Sequence, residues 1–329
     1  MKTLALHNGW MVTNIQRGAS WCLGLPPAYA GTALLLGCAA LARTNLVAPM
    51  LLLLILRQAV PLGVVTMGQS LTIRCRSLDL SVGGVVAVVA YLLTSGVLAT
   101  VSAPIAVLLS VLFGAGVGAI NGMLIVRLRA SAVIVTLAMS MILTGAVIAL
   151  SQFRASGDAP ALLTVFGSVR FAGVPLAPMV WLAILIPFAA FLRLSVFGRL
   201  MDAIGANPKA AELSGLPHLR VLFIAHVVSG ITSACGALLL LSFVGVGSVT
   251  LGNDLALNSL AATVLGGVTF GNGRGGVAGP AVASFMVVFL FNFLTSFGLG
   301  EAGHLILQGA ILGGAALTYS LRNGAEQRI

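Results

Sequence analysis

Phe197–Leu216 reads FGRLMDAIGANPKAAELSGL, a polar stretch in an otherwise apolar chain. It carries its own punctuation. Asn207 suits a helix N-cap, because its side-chain oxygen can accept from an open backbone N–H. Pro208 suits the first helical position, where no donor is needed. Gly215 suits the left-handed residue past the helix end. The spacing predicts a short helix over Lys209–Ser214, about 10 Å long. So short a helix is marginal alone in water. Either the rest of the chain or another protein must hold it.

The surrounding composition is that of a membrane protein. Of 329 residues, 59% are hydrophobic and 7% are charged, with a mean hydropathy of +1.11. A soluble domain carries about 25% charged residues. The 40 glycines suit closely packed transmembrane helices. The lack of long alternating apolar and polar segments argues against a β-barrel. A net charge of +10 points to basic loops on the inner side of a membrane before it points to nucleic acid. Cys22, Cys38, Cys75 and Cys235 form no CxxC pair, so they read as small buried residues, with no metal site and no disulfide framework. Lys2 and Arg17 precede no clean apolar run ending in a small-residue cleavage site, so residues 1–25 read as a retained cytoplasmic arm.

Apolar segments fall at ~26–43, ~58–73, ~79–98, ~103–126, ~131–151, ~177–192, ~220–243, ~256–270, ~278–297 and ~303–320. They predict an all-α integral membrane protein of about ten transmembrane helices, with both termini cytoplasmic. Residues 26–320 form one transmembrane domain with a polar loop at 193–219, and 321–329 is a cytoplasmic tail. Arg57 interrupts one long apolar region, so Leu46–Leu56 is expected near the outer interface. An outer loop at ~152–176 holds Arg154, Asp158 and Arg170, and Gly271–Gly276 is expected as a tight turn bearing Arg274. The basic residues test this arrangement. Thirteen fall inside (Lys2, Arg17, Arg74, Arg76, Arg127, Arg129, Arg193, Arg199, Lys209, Arg220, Arg274, Arg322, Arg328) against three outside (Arg43, Arg154, Arg170), with Arg57 undecided. That is the bias expected of a correctly oriented multi-pass protein.

Few residues offer chemistry. No Gly-rich run leads into Gly-Lys-Ser/Thr, so any ATP chemistry belongs to a partner chain. His7, His218, His226 and His304 are scattered and make no catalytic or metal-ligand spacing; His226 reads as a packed or hydrogen-bonded residue. Asp79 lies at the start of a span, where an acid is costly. It has two readings. Either Asp79 or Ser81 caps the helix start, with Arg74 or Arg76 pairing with Asp79, or Asp79 serves a gate or pathway. Thr136, Ser140 and Thr144 fall at i, i+4 and i+8, one polar stripe on an apolar helix. They either line a passage for a polyhydroxylated solute or bond helix to helix. Gly114, Gly118 and Gly122, and again Gly309 and Gly313, are stripes that let helix backbones approach.

Several stretches together resemble one family. They are Leu78-Asp79-Leu80-Ser81-Val82-Gly83; Asn121 through Leu128; Phe197-Gly198-Arg199, Ala203 through Pro208 and Ala210 through Gly215; and Val264-Leu265-Gly266-Gly267 with Gly273-Arg274-Gly275. In this order, over roughly 58–320, they resemble the permease subunits of ATP-binding-cassette importers for ribose and other monosaccharides. The resemblance implies two permeases, this chain and either a second copy or a related permease, facing each other across the path. Cytoplasmic ATPases carry the ATP and Mg, and an extracytoplasmic binding protein delivers the solute. It implies that Asn207, Pro208, Ala210, Ala211, Glu212, Leu213 and Gly215 form the coupling element to the ATPase. Asp79, Ser81, Thr136, Ser140 and Thr144 are candidates for the path, and Arg154 and Arg170 for binding-protein docking. The bacterial inner membrane is the implied location. The chain departs from the family where Arg76 and Ser77 stand in place of two usual glycines, where Ala256 and Asn258 replace an acidic pair, and where no proline stands near Ala132.

The function expected is ATP-driven import of a monosaccharide or similar small polar solute, with no covalent chemistry in this chain. The alternative is a secondary transporter or channel that uses Asp79 for ion coupling. That scheme gives the polar stretch at 197–216 no duty.

Overall fold

The structure is a computed structural model; it describes residues 26–152, 157–268, 275–300, 302–310 and 313–314. In chain order, α1 spans Pro27–Ala42, a 3-10 turn follows at Thr44–Val47, and α2 spans Pro49–Arg74. Then come α3 (Val82–Thr94), α4 (Ala103–Leu128), α5 (Ala132–Ser151) and the short α6 (Ala161–Ser168). A two-residue-per-strand hairpin pairs β1 (Arg170–Phe171) with β2 (Val174–Pro175). The chain continues through α7 (Leu176–Leu194), α8 (Val196–Ala206), α9 (Pro208–Leu213), α10 (His218–Val244), α11 (Leu255–Leu265) and α12 (Ala278–Thr295). Residues 302–310 are helical as well. Among the described residues, six helices are long and apolar enough to cross a membrane: α2, α4, α5, α7, α10 and α12. The apolar helices α1, α3 and α11 are shorter.

Helices α2 and α10 are the axis of the bundle. They are the most buried of the six, and each is packed by several others. Helix α4 lies along α10 because its glycine stripe removes the side chains between them. A Cβ on Gly114 would collide with the Gly230 carbonyl, one on Gly118 with the His226 carbonyl, and one on Gly122 would press on Phe223. The expected packing role of this stripe is what the backbone shows. Gly309 and Gly313 differ, since a Cβ at either meets nothing within 4 Å among the described residues.

Two segments depart from the sequence reading. Residues 49–74 form one unbroken helix through Arg57, about 39 Å long, where Leu46–Leu56 and ~58–73 were expected to be separate. Arg57 is accommodated with its guanidinium over the Phe243 ring, 5.0 Å from the centroid. The polar stretch begins with an amphipathic helix, α8, that the caps around Asn207 did not reveal. Phe197, Leu200, Met201 and Ile204 recur at i, i+3, i+4 and i+7, and Met201 and Ile204 are buried. They share one core cluster with Leu71 of α2, Cys75 just after it, Ala211 of α9 and Val221 of α10. The polar loop is thereby packed onto the feet of the two axial helices. The turn with Arg274 and the loop position Arg154 lie outside the described residues.

Candidate functional site

The polar loop is two helices joined at one residue. Ser195 Oγ accepts from the Gly198 N–H at 3.2 Å and starts α8. Asn207 ends α8, its N–H donating to Ala203 O, and its Oδ1 accepts from the Ala210 N–H at 3.0 Å to start α9. Pro208 sits in the first turn and Gly215 has φ +74°, so the cap chemistry expected from the sequence is present at both ends. Helix α9 runs Pro208–Leu213, one residue earlier than expected at each end, a shift within ordinary fraying. Ala211 is buried against the bundle, whereas Lys209, Ala210 and Glu212 are exposed and Leu213 is 81% exposed. The helix is held from behind and presents an apolar residue outward.

Two arginines fasten this loop to the core. Arg74, the last residue of α2, is 4% exposed, and its Nη2 pairs with Asp202 Oδ1 of α8 at 2.6 Å and donates to Gly198 O at 3.3 Å. Arg76 Nε donates to Gly205 O and Nη2 to Ala206 O, both at 2.9 Å. Those carbonyls are in the last turn of α8, where a helix leaves acceptors open. Pairing of Asp79 with Arg74 or Arg76 was one expectation; the ion pair found at Arg74 is with Asp202, and the bonds found at Asp79 run to Ser81. Between the two arginines Cys75 is buried, and burial pushes its thiol up to about 12 against the opposing pull of Arg74.

Beyond the clamp the backbone leaves helical geometry until Val82, and polar side chains satisfy it. Asp79 Oδ1 accepts from the Ser81 N–H at 2.9 Å and from Ser81 Oγ at 2.6 Å. Ser81 Oγ accepts from Asn121 Nδ2 at 2.9 Å, which ties the segment to α4. The Leu80 N–H donates to Thr136 Oγ1 of α5 at 3.0 Å, and Ser77 Oγ lies 2.8 Å from His226 Nε2 of α10. Ser77, Asp79, Ser81, Asn121, Thr136 and His226 are all buried. Asp79 Oδ2, Asn121 Oδ1 and His226 Nδ1 are buried without a partner among the described residues, so the knot retains unused polar capacity. Of the stripe expected from α5, Thr136 joins this knot. Ser140 turns its backbone toward Gly84 of α3, and Ser140 and Thr144 are half-buried. Sequence spacing singled out Asp79, Ser81 and Thr136 but missed Asn121, Ser77 and Asp202 as their neighbours and anchors.

On the opposite side of the bundle, β1 and β2 turn through Ala172 (φ 51°) and Gly173 (φ 84°). Arg170 on β1 donates from Nη1 to Met50 Sδ at 3.5 Å and is exposed. No group of three or more His, Cys, Asp or Glu able to hold a metal is found among the described residues.

A bundle of apolar spans, a buried polar knot and a preformed polar loop at one end define a polytopic membrane transport protein. The chain belongs to the family described as branched-chain amino acid transport system / permease component, which it matches over residues 51–316. Curated relatives include the Autoinducer 2 import system permease protein LsrD of Escherichia coli (strain SMS-3-5 / SECEC), of Escherichia coli (strain K12) and of Shigella flexneri. Each is 29% identical over 257 residues, 76% of this chain and 78% of the relative. No solved structure matches the chain. The chain is an ATP-binding-cassette importer permease and a multi-pass protein of the inner membrane.

Proposed function

We propose that this permease moves a monosaccharide or a similar small polar solute inward through ten crossings, with both termini in the cytoplasm. Its path lies against a second permease, either another copy or a related chain. A partner ATPase carries ATP and Mg and receives α9 in a groove; Asn207, Pro208, Ala210, Ala211, Glu212, Leu213 and Gly215 shape and present that helix. One observation carries the reading: α9 exposes Leu213 while Ala211 and the α8 clamp fix it to α2. A push on α9 moves α8, and α8 moves Arg74 and Arg76. Segment 76–81 then shifts against α4, α5 and α10. In this scheme Asp79, Ser81 and Thr136 act on the path from inside the subunit. Ser140 and Thr144 keep surface with which to meet solute.

An extracytoplasmic solute-binding protein docks on the other side, where Arg170 and, by its sequence position, Arg154 offer charge. Exposed pairs are worth about 0–1 kcal/mol each and are screened by salt. Charge reversal at Arg170 therefore raises the binding-protein concentration needed for half-maximal uptake at low salt and leaves transport possible. The test of the whole reading is uptake into membrane vesicles, assayed with ribose, other monosaccharides and autoinducer 2, the solute named for the relatives. Uptake should require internal ATP and external binding protein. Uptake that persists without both would reassign the chain to ion-coupled transport.

A further inference from the structure

The end of α4 and the start of α10 leave a groove of about 460 Å³ between them, lined by Met123, Val126, Arg127, Leu219, Arg220, Phe223 and Ile224. Five of these seven side chains are apolar, and Met123, Leu219 and Ile224 are exposed along it. Both flanking helices are long and apolar enough to span a bilayer. The groove is open at the end of the bundle that carries α8 and α9, since Arg127 is in the last turn of α4 and Arg220 in the first turns of α10.

Its two arginines set it apart. Neither Arg127 nor Arg220 has an ion pair or hydrogen bond among the described residues; the ion pair found there joins Arg74 to Asp202. Arg127 suits the negative end of its own helix, but Arg220 stands at the positive end of α10, which disfavours a cation. A second cation across the groove adds to that cost. An anion held between the two guanidiniums relieves both terms. An apolar trough continuing from the anion site into the membrane selects a molecule with a hydrocarbon chain. Basic pockets between transmembrane helices at the membrane surface are the setting in which anionic headgroups bind.

We propose that this groove is a binding site for an anionic phospholipid, one acyl chain lying along Met123, Phe223 and Ile224 and the phosphate held by Arg127 and Arg220. The site needs only that α4 and α10 cross the bilayer, and it is separate from α9. The charge pattern favours a lipid over a second copy of this chain, which would bring two further arginines to the same place.

The test uses the full-length chain in vesicles of phosphatidylcholine and phosphatidylglycerol, extracted in mild detergent, with bound lipid measured by native mass spectrometry. Each arginine near the surface is worth about fivefold in preference for the anionic lipid. Wild type should retain phosphatidylglycerol well above its share of the vesicle. Arg127→Gln or Arg220→Gln should each lower that enrichment about fivefold, and the double variant should remove it. Ile224→Trp, which fills the trough and keeps both charges, should lose lipid too. Inorganic phosphate has no chain for the trough and should not displace the lipid. Phosphatidylglycerol retained only in proportion to the vesicle, displacement by phosphate, or efficient disulfide formation between two copies carrying Met123→Cys would each overturn the proposal.

Discussion

Arg76 Nε donates to the carbonyl of Gly205 at 2.9 Å from a backbone that is itself left-handed, with φ 58°. A left-handed conformation costs a residue with a Cβ roughly 1–2 kcal/mol. Glycine, with no Cβ, would hold the turn without that cost. Here the turn is kept by an arginine whose side chain caps the end of α8. Charge-assisted hydrogen bonds contribute about 1.5–3 kcal/mol each, so two of them offset the strain.

Arg76→Gly separates these terms. The backbone recovers about 1–2 kcal/mol of strain and two bonds worth about 1.5–3 kcal/mol each are lost, so fold stability should fall by about 1–5 kcal/mol, toward the low end because solvent reaches Arg76. Membrane levels should match wild type. Stimulation of ATP hydrolysis by the solute-loaded binding protein should fall several-fold, while basal hydrolysis persists. Full stimulation in Arg76→Gly would show that force does not travel through this contact.

Arg74 and Asp202 form an ion pair buried on one side only, with side-chain exposures of 4% and 52%. Solvent around Asp202 screens the pair, so its coupling energy should be about 1 kcal/mol, well under that of a wholly buried pair. Asp202→Ala should lower the melting temperature of the purified complex. The Arg74→Met, Asp202→Ala double variant should lose less than the sum of the singles. Strict additivity in that cycle would mean that the two side chains act independently.

How much of this was legible in the sequence follows from the range of each interaction. Asn207, Pro208 and Gly215 act within three residues of themselves, and the sequence showed their caps. Asp79 likewise bonds Ser81, two residues on. The partners of Arg74 and Arg76 lie on α8, over 120 residues away in the chain, and no local pattern points to them. Helix α8 itself had a readable signal in Phe197, Leu200, Met201 and Ile204, overshadowed by the charges between them. Arg57 looked like a break because a lone charge in an apolar run ends most spans; only the fold brings Phe243 over it.

Cys75 offers a chemical check on the clamp. Its thiol is buried and pushed up to about 12, so it stays protonated throughout the physiological range. Thiolate is the reactive form. Maleimide at neutral pH should leave Cys75 unmodified in the folded protein and label it after denaturation, as read by mass spectrometry of the peptide. Rapid labelling in the native state would mean that segment 75–81 opens on its own. Cys38 is exposed and Cys235 half-buried, contrary to the expectation that the cysteines are buried, so in a chain with Cys22, Cys38 and Cys235 replaced by Ser, Lys209→Cys should label from the cytoplasm and Asp158→Cys from outside.

The glycine stripes should divide into two kinds. Gly118→Ala drives a Cβ into the His226 carbonyl, beside the bond from His226 to Ser77, and should cost about 1–3 kcal/mol as overpacking. Gly309→Ala adds a methyl where nothing lies within 4 Å among the described residues and should leave this chain's stability unchanged. Thermal unfolding of the two variants side by side decides it. Equal melting temperatures would place the α4–α10 contact elsewhere.

Gly215 gives the cleanest test of the loop as the coupling element. Its φ is +74°, and an added Cβ would meet nothing within 4 Å. A substitution there is resisted by backbone conformation alone. A β-branched residue incurs about 1–3 kcal/mol at such a position. Helix α9 has six residues and one buried side chain, Ala211, with which to oppose that strain. Gly215→Val should therefore fray or re-aim α9, while the spans, held by the bilayer and by their own packing, insert normally. Gly215→Asn, a residue that tolerates the left-handed region, should behave close to wild type. The expected result for Gly215→Val is normal protein in the membrane, poor retention of the ATPase on co-purification, and loss of solute-stimulated hydrolysis. Glu212→Ala, which removes a charge and keeps helix propensity, should give a milder version. If Gly215→Val holds its ATPase and transports as wild type does, α9 is not what the ATPase grips, and the exposed Leu213 needs another partner.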